Sequence, residues 1–202
     1  MRKFDGDKLL LATHNAGKLE EMRALLASSG VEVVSSAMLR LPEPEETETT
    51  FLGNARIKAH AASRATGLIA LGDDSGLEVD ALGGQPGVYT ADWAETPHGR
   101  DFLMAMGKVH GALLGAGAPE PWSARFRCTL VLAWPDGHEE VIEGTSDGRL
   151  TWPIRGAEGH GFDPMFVPEG HETTFAEMPN AEKNRISHRA QAMSALLARC
   201  FT

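Results

Sequence analysis

The residues best suited to chemistry in this chain are Asp73-Asp74-Ser75-Gly76, which follow the apolar run Leu68-Ile69-Ala70-Leu71-Gly72. Two adjacent carboxylates at a strand's end repel one another, and a divalent cation that prefers oxygen ligands relieves the repulsion while polarising bound water. Such a spot is where a hydrolase would hold a metal. The same four residues also make a polar turn, Asp73 closing an Asx-turn and Ser75-Gly76 completing the bend, so the pair becomes a site only in company.

A short buried-strand signal at Lys8-Leu9-Leu10-Leu11-Ala12 is followed by Thr13-His14-Asn15-Ala16-Gly17-Lys18, then by an amphipathic segment with Leu19, Met22, Leu25 and Leu26 on one face. At such a strand–turn–helix junction the exposed N–H groups and the helix dipole favour an anion, and Asn15 and Lys18 can both point at a phosphate oxygen. The glycine spacing and Lys-Ser/Thr pair of a Walker loop are missing. Pro42 and Pro44 keep the acidic segment 41–48 out of a helix, and its glutamates are solvated unless a metal is near. Thr49 or Thr50 caps the next helix, over 51–65, where Asn54 and Lys58 share a face. Lys58 either reaches the same phosphate or stands in solvent.

Two later constellations add to this. His160-Gly161-Phe162-Asp163 sets flat side chains beside a carboxylate, the stacking surface and acceptor that a purine site needs, while Phe166 reads as core. Lys183, Arg185, His188 and Arg189 crowd cations into one or two helical turns, which suits an anion, a carbonyl-rich base or a solvated basic face.

The elements that must position these groups are a second strand over 31–34, a strand over 77–80, and a glycine- and proline-rich loop over 82–89. A helix follows over 100–114. Strands over 124–134 and 138–144 flank the turn Pro135-Asp136-Gly137, so an antiparallel hairpin and a mixed sheet are expected. A closing helix over 181–199 carries Ile186, Ala190, Met193 and Leu197 on its inner side.

With 202 residues, 42% of them hydrophobic, the chain can bury one sizeable core, and one domain with two lobes around one sheet is expected. Nineteen Lys and Arg against 28 Asp and Glu, a formal charge of −9, disfavour general nucleic-acid binding, so a phosphorylated ligand must be small and locally neutralised. Cys128 and Cys200, the only cysteines, support neither a disulfide framework nor a zinc site, and Cys128 reads as a packed strand residue. The N-terminal apolar run is too short for a signal peptide and no run could span a bilayer, so a soluble cytoplasmic protein is expected.

Taken together and in order, Thr13-His14-Asn15-Ala16-Gly17-Lys18, the segment from Glu45-Glu46-Thr47 to Asn54-Ala55, Asp73-Asp74-Ser75-Gly76-Leu77, Gly83-Gly84-Gln85-Pro86-Gly87-Val88-Tyr89, Gly161-Phe162-Asp163-Pro164 and Ser187-His188-Arg189 closely resemble the inosine/xanthosine triphosphate pyrophosphatase family. The resemblance implies a single domain over 1–202, a two-lobed α/β fold around a twisted mixed sheet, and a homodimer. It implies a Mg²⁺-dependent pyrophosphatase that removes dITP, ITP and XTP from the nucleotide pool. Carried over by position, Asp74 is the proton acceptor and a metal ligand, and Glu45 a second metal contact. Lys18 assists catalysis, and Thr13, His14, Asn15, Ala16, Gly17 and Lys18 with Lys58 and Lys183 grip the triphosphate. Ser75 touches the nucleotide. The base lies against His160, Gly161, Phe162 and Asp163, with His188 and Arg189 donating to the 6-oxo group.

Two departures stand out. Gly159-His160-Gly161-Phe162-Asp163 replaces the usual Gly-Phe-Gly-Tyr-Asp, where imidazole still stacks. Tyr89-Thr90-Ala91-Asp92 replaces Tyr-Ser-Ala-Arg, which puts an anion where phosphate binding or a dimer contact would use a cation.

Overall fold

The computed structural model describes residues 1–201. In chain order the described elements are β1 Lys8–Leu11, α1 Ala16–Leu26, β2 Glu32–Ser35, α2 Phe51–Thr66, β3 Ile69–Val79, β4 Glu95–Thr96, β5 Gly99–Arg100, α3 Phe102–Gly115, β6 Trp122–Ala133, β7 Glu139–Leu150, β8 Phe166–Pro168, α4 Asn180–Ile186 and α5 His188–Leu196, closed by a π-helical turn, Leu197–Phe201. Six strands form one sheet in the order β2-β1-β3-β6-β7-β8, while β4 and β5 make a separate two-stranded ribbon. β1 runs parallel to β2 and β3, and β7 antiparallel to β8, so the sheet is mixed as expected.

The chain forms two compact units, the first of Met1–Asp74, Cys128–Gly144 and the residues from Arg189 onward, the second of Ser75–Arg127 and Thr145–His188. In the first, the leucines of β1 are fully buried on both faces, as a parallel strand requires. Successive side chains alternate: Leu9 and Leu11 join Met22, Leu26, Leu130 and Met193 in one cluster, while Leu10 and Ala12 join Val34, Ala62 and Ala70 in another. In the second unit Leu77 and Val79 pack with Val109 and Leu113 of α3 and with Phe126, Phe162, Phe166 and Phe175. Phe166 and Cys128 are buried, as the sequence suggested.

Two expectations need correction. Asp73-Asp74 does not end a strand, nor does Asp-Asp-Ser-Gly form a turn: β3 runs unbroken from Ile69 to Val79 between β1 and β6. An interior strand holds both carboxylates because cations meet them, as described below. The closing helix is also not continuous. It breaks at Ser187, whose ψ of 154° is extended, and the apolar positions either side serve different cores, Ile186 with Phe162 and Phe175, Met193 with Leu9 and Leu130.

Small residues let α2 lie close to β3. A Cβ on Gly72 would stand 2.3 Å from the Ala55 carbonyl oxygen and 2.8 Å from the Ala59 nitrogen, well inside van der Waals contact. Gly72→Ala is therefore expected to cost about 1–3 kcal/mol or more by pushing the helix off the strand. Urea unfolding measures it, and an unchanged midpoint would remove this close approach from the account.

Candidate active site

Successive strand residues face opposite sides of a sheet, so Asp73 and Asp74 enter different surroundings. Lys18 Nζ donates to both carboxylate oxygens of Asp73, each at 3.0 Å, and an Arg189 nitrogen stands 3.6 Å away. The other arm of the Arg189 guanidinium pairs with Glu21. Lys18 is delivered by local chemistry: the Asn15 side chain caps α1 by accepting the Lys18 N–H at 3.0 Å, and Thr13 Oγ1 accepts the Asn15 N–H at 3.1 Å. A ring nitrogen of His14 lies 2.8 Å from the Leu41 carbonyl oxygen, tying this turn to the start of the acidic segment.

Asp74 meets the other helix. Lys58 Nζ lies 3.7 Å from Asp74 Oδ1 and 3.1 Å from Glu46 Oε1. Thr50 caps α2, accepting the Gly53 N–H. Asn54, one turn before Lys58, accepts the Glu48 N–H at 3.0 Å, so this face of α2 fastens the acidic segment and neutralises it. Lys58 is 8% exposed, which settles its sequence ambiguity against a solvated side chain. Both glutamates are exposed, and it is Glu46 that meets the lysine.

This asymmetry splits the carboxylate pair. Burial alone would raise Asp73, but Lys18, Arg189 and Lys58 outweigh it and hold the group well below the usual carboxylate range. For Asp74, burial dominates and Glu46 and Asp73 add to it against Lys58 and Lys18, so its pKa is pushed up to about 6. Neighbouring acids driven apart in this way mark a fixed charge and a titrating group, the division of labour of acid–base sites.

The second unit carries its own cluster. Asp163 is buried and accepts hydrogen bonds at one oxygen from Lys183 Nζ at 2.6 Å and the His160 N–H at 2.7 Å. Gly159 has φ +79°, and a Cβ there would lie 2.2 Å from that oxygen, so glycine is required. The stacking surface expected of Phe162 is absent because its ring is core, edge-on to Phe102. His160 is exposed, whereas His188 is buried with its ring stacked on Phe126. Ser75 follows Asp74 on β3 and is half-buried. Asp92, with Tyr89, Trp93 and Lys108, lines an open cavity of about 480 Å³, where Lys108 of α3 donates to the Trp93 carbonyl oxygen at 3.0 Å.

Two of the four crowded cations of 183–189 meet acids, Lys183 on Asp163 and Arg189 on Glu21 and Asp73. Arg189 pairs with carboxylates of the first unit. Sequence reasoning missed Glu21 and Phe126. The i,i+3 spacing of Lys18 and Glu21 on α1 was the one available signal for Glu21.

A strand-borne carboxylate pair split in acidity, with lysines brought to it by two helices of a mixed α/β fold, has the chemistry that acid–base work on a phosphorylated substrate requires. The Ham1 family model matches residues 9–199, and the chain belongs to this family. It is 68% identical to the dITP/XTP pyrophosphatase of Ruegeria pomeroyi over 99% of this chain and 98% of that protein. To the dITP/XTP pyrophosphatase of Rhodospirillum centenum it is 54% identical, with the same coverage. Among solved structures, a HAM1 protein from Coxiella burnetii superposes with a TM-score of 0.86 at 36% identity, covering 95% of this chain and 96% of that one. The nucleoside-triphosphatase / dITP/XTP pyrophosphatase of Mycobacterium abscessus gives 0.75 at 39% identity, covering 94% and 98%.

Proposed function

We propose that this chain is a nucleoside triphosphate pyrophosphatase acting on the non-standard purine nucleotides dITP, ITP and XTP, releasing the monophosphate and pyrophosphate. The observation that carries this reading is the divided Asp73–Asp74 pair, one acid held ionised by three cations and the other poised near pH 6. The names borne by its close relatives supply the substrate class.

The residues fit a magnesium ion. Among the described residues no cluster of three or more His, Cys, Asp or Glu side chains could hold a metal alone. Asp74 and Glu46, both beside Lys58, make a two-carboxylate oxygen set, and Mg²⁺ is bound by one or two carboxylates together with substrate phosphates. We assign Asp74 and Glu46 to it, with Glu45 next along the same segment. When bound, the ion supplies Lewis-acid polarisation of the phosphates.

The chain's own steps are these. Asp74 accepts the proton of a water attacking the α-phosphorus, and Lys18 and Lys58 offset the charge that develops on the departing pyrophosphate. The turn from Thr13 to Lys18, with Ser75, takes the phosphates. Lys183, His160, Gly161, Asp163 and His188 are assigned to the nucleoside, with Phe162 in the core beneath them. Donors facing a 6-oxo group reject adenine, whose 6-amino group leaves them without acceptors. Arg189 is assigned to Asp73 rather than to the base. The whole chain acts as one catalytic domain, as a homodimer in the cytoplasm.

Pyrophosphate release from ITP, XTP, dITP, GTP and ATP, with Mg²⁺ and with EDTA, tests this. Turnover of the first three with Mg²⁺, yielding pyrophosphate, is expected. Inorganic phosphate as the product would mark a different phosphohydrolase, and tight ITP binding without turnover a nucleotide-binding regulator.

A further inference from the structure

His188 is the first residue of α5, set off from α4 by the extended Ser187. Phe126 lies against its ring. The two planes stack with centroids 4.9 Å apart and 16° between them, and both side chains are buried. Phe126 is in turn held by Phe166, at 4.7 Å, and by Phe175, at 6.1 Å. Phe175 carries the Lys183 ammonium over its face at 5.9 Å, and Lys183 is hydrogen-bonded to Asp163. One aromatic cluster therefore underlies both His188 and Lys183, and Phe126 is its central member.

We propose that Phe126 is a positioning residue for His188, setting the plane of the imidazole and through it the discrimination between 6-oxo and 6-amino purines. A flat face in stacking contact restricts rotation of the imidazole about its Cβ–Cγ bond, and so its plane. An aliphatic side chain of similar volume fills the space without offering that flat face. This rests on the assignment of His188 to the purine made above, and the test separates the two.

The ring protons of His188, assigned by their loss in His188→Gln, are expected to show an upfield ring-current shift in the proton NMR spectrum of the wild-type protein. This arm needs no change to the core. Phe126→Leu is expected to abolish the shift and to lower the ratio of kcat/KM for ITP over ATP by about fivefold to tenfold, the worth of one aromatic pair, mostly through a higher KM for ITP. Phe126→Tyr, which keeps the flat face, is expected to restore both. His188→Ala is expected to collapse the same ratio. If it does not, the purine assignment of His188 fails, and the selectivity role of Phe126 goes with it. Unshifted protons in the wild type, or an unchanged ratio in Phe126→Leu while His188→Ala collapses it, overturn the positioning role alone.

Discussion

Asp74→Asn is expected to lower kcat by about a thousandfold, the usual worth of a positioned general base, and at the same time to make the metal-free protein more stable at pH 8. The second effect follows from the first group's surroundings. In the folded state its pKa of about 6 lies above the ordinary 3.8, so between those values the folded protein binds more protons than the unfolded chain. Stability therefore falls as pH rises through this window, and the cost of ionising Asp74 is fully present above about pH 6. Two pKa units correspond to about 3 kcal/mol, which asparagine, neutral and of the same shape, does not incur. Urea unfolding in EDTA is expected to show the variant about 2–3 kcal/mol more stable at pH 8 and equal to wild type near pH 4. Added Mg²⁺ should stabilise the wild type and leave the variant where it was. Near-normal turnover, or a variant less stable at pH 8, would take Asp74 out of the central role.

The residue types of this site were legible in the sequence, and their placement only in part. Asn15 capping a helix that follows a buried strand places Lys18 from spacing alone, and the i,i+4 pair Asn54 and Lys58 fixes one face of α2. The path of β3 was hidden, because Asp-Asp-Ser-Gly carries turn chemistry that local reading weighs heavily. What overrides it is long-range: β1 and β6 on either side, and lysines and an arginine that arrive from distant segments. The break at Ser187 was hidden for a similar reason. A 3.6-residue apolar period continues across it, and nothing in the period says that its two halves feed different cores. That Glu46 is the one to meet Lys58 was hidden too, because the lysine comes from α2 and the acidic segment is irregular.

Arg189→Met is expected to be the most destabilising single change in the first unit. The guanidinium is buried and serves two carboxylates, Glu21 and Asp73, and methionine replaces its volume but neither charge nor donors. Removing one partner of a buried ionic group leaves the others desolvated and uncompensated, at about 3–5 kcal/mol, far more than the net worth of the intact arrangement. Asp73 retains Lys18, so the greater share of the loss falls on Glu21, one of whose oxygens is buried without a hydrogen-bond partner even in the native protein. Glu21→Gln should therefore recover part of the loss in the Arg189→Met background, while costing stability when made alone. Such a sign reversal across a double-mutant cycle is the mark of direct coupling. The pH dependence has a definite direction too. The depressed pKa of Asp73 contributes stability above the ordinary carboxylate range, lost as pH falls through the folded value. Without Arg189 that contribution shrinks, so the gap between variant and wild type is expected to be wide at pH 7 and to narrow as the solution is acidified. A loss below about 1 kcal/mol at pH 7, the value of an exposed pair, would show that Arg189 does not hold Asp73 in place.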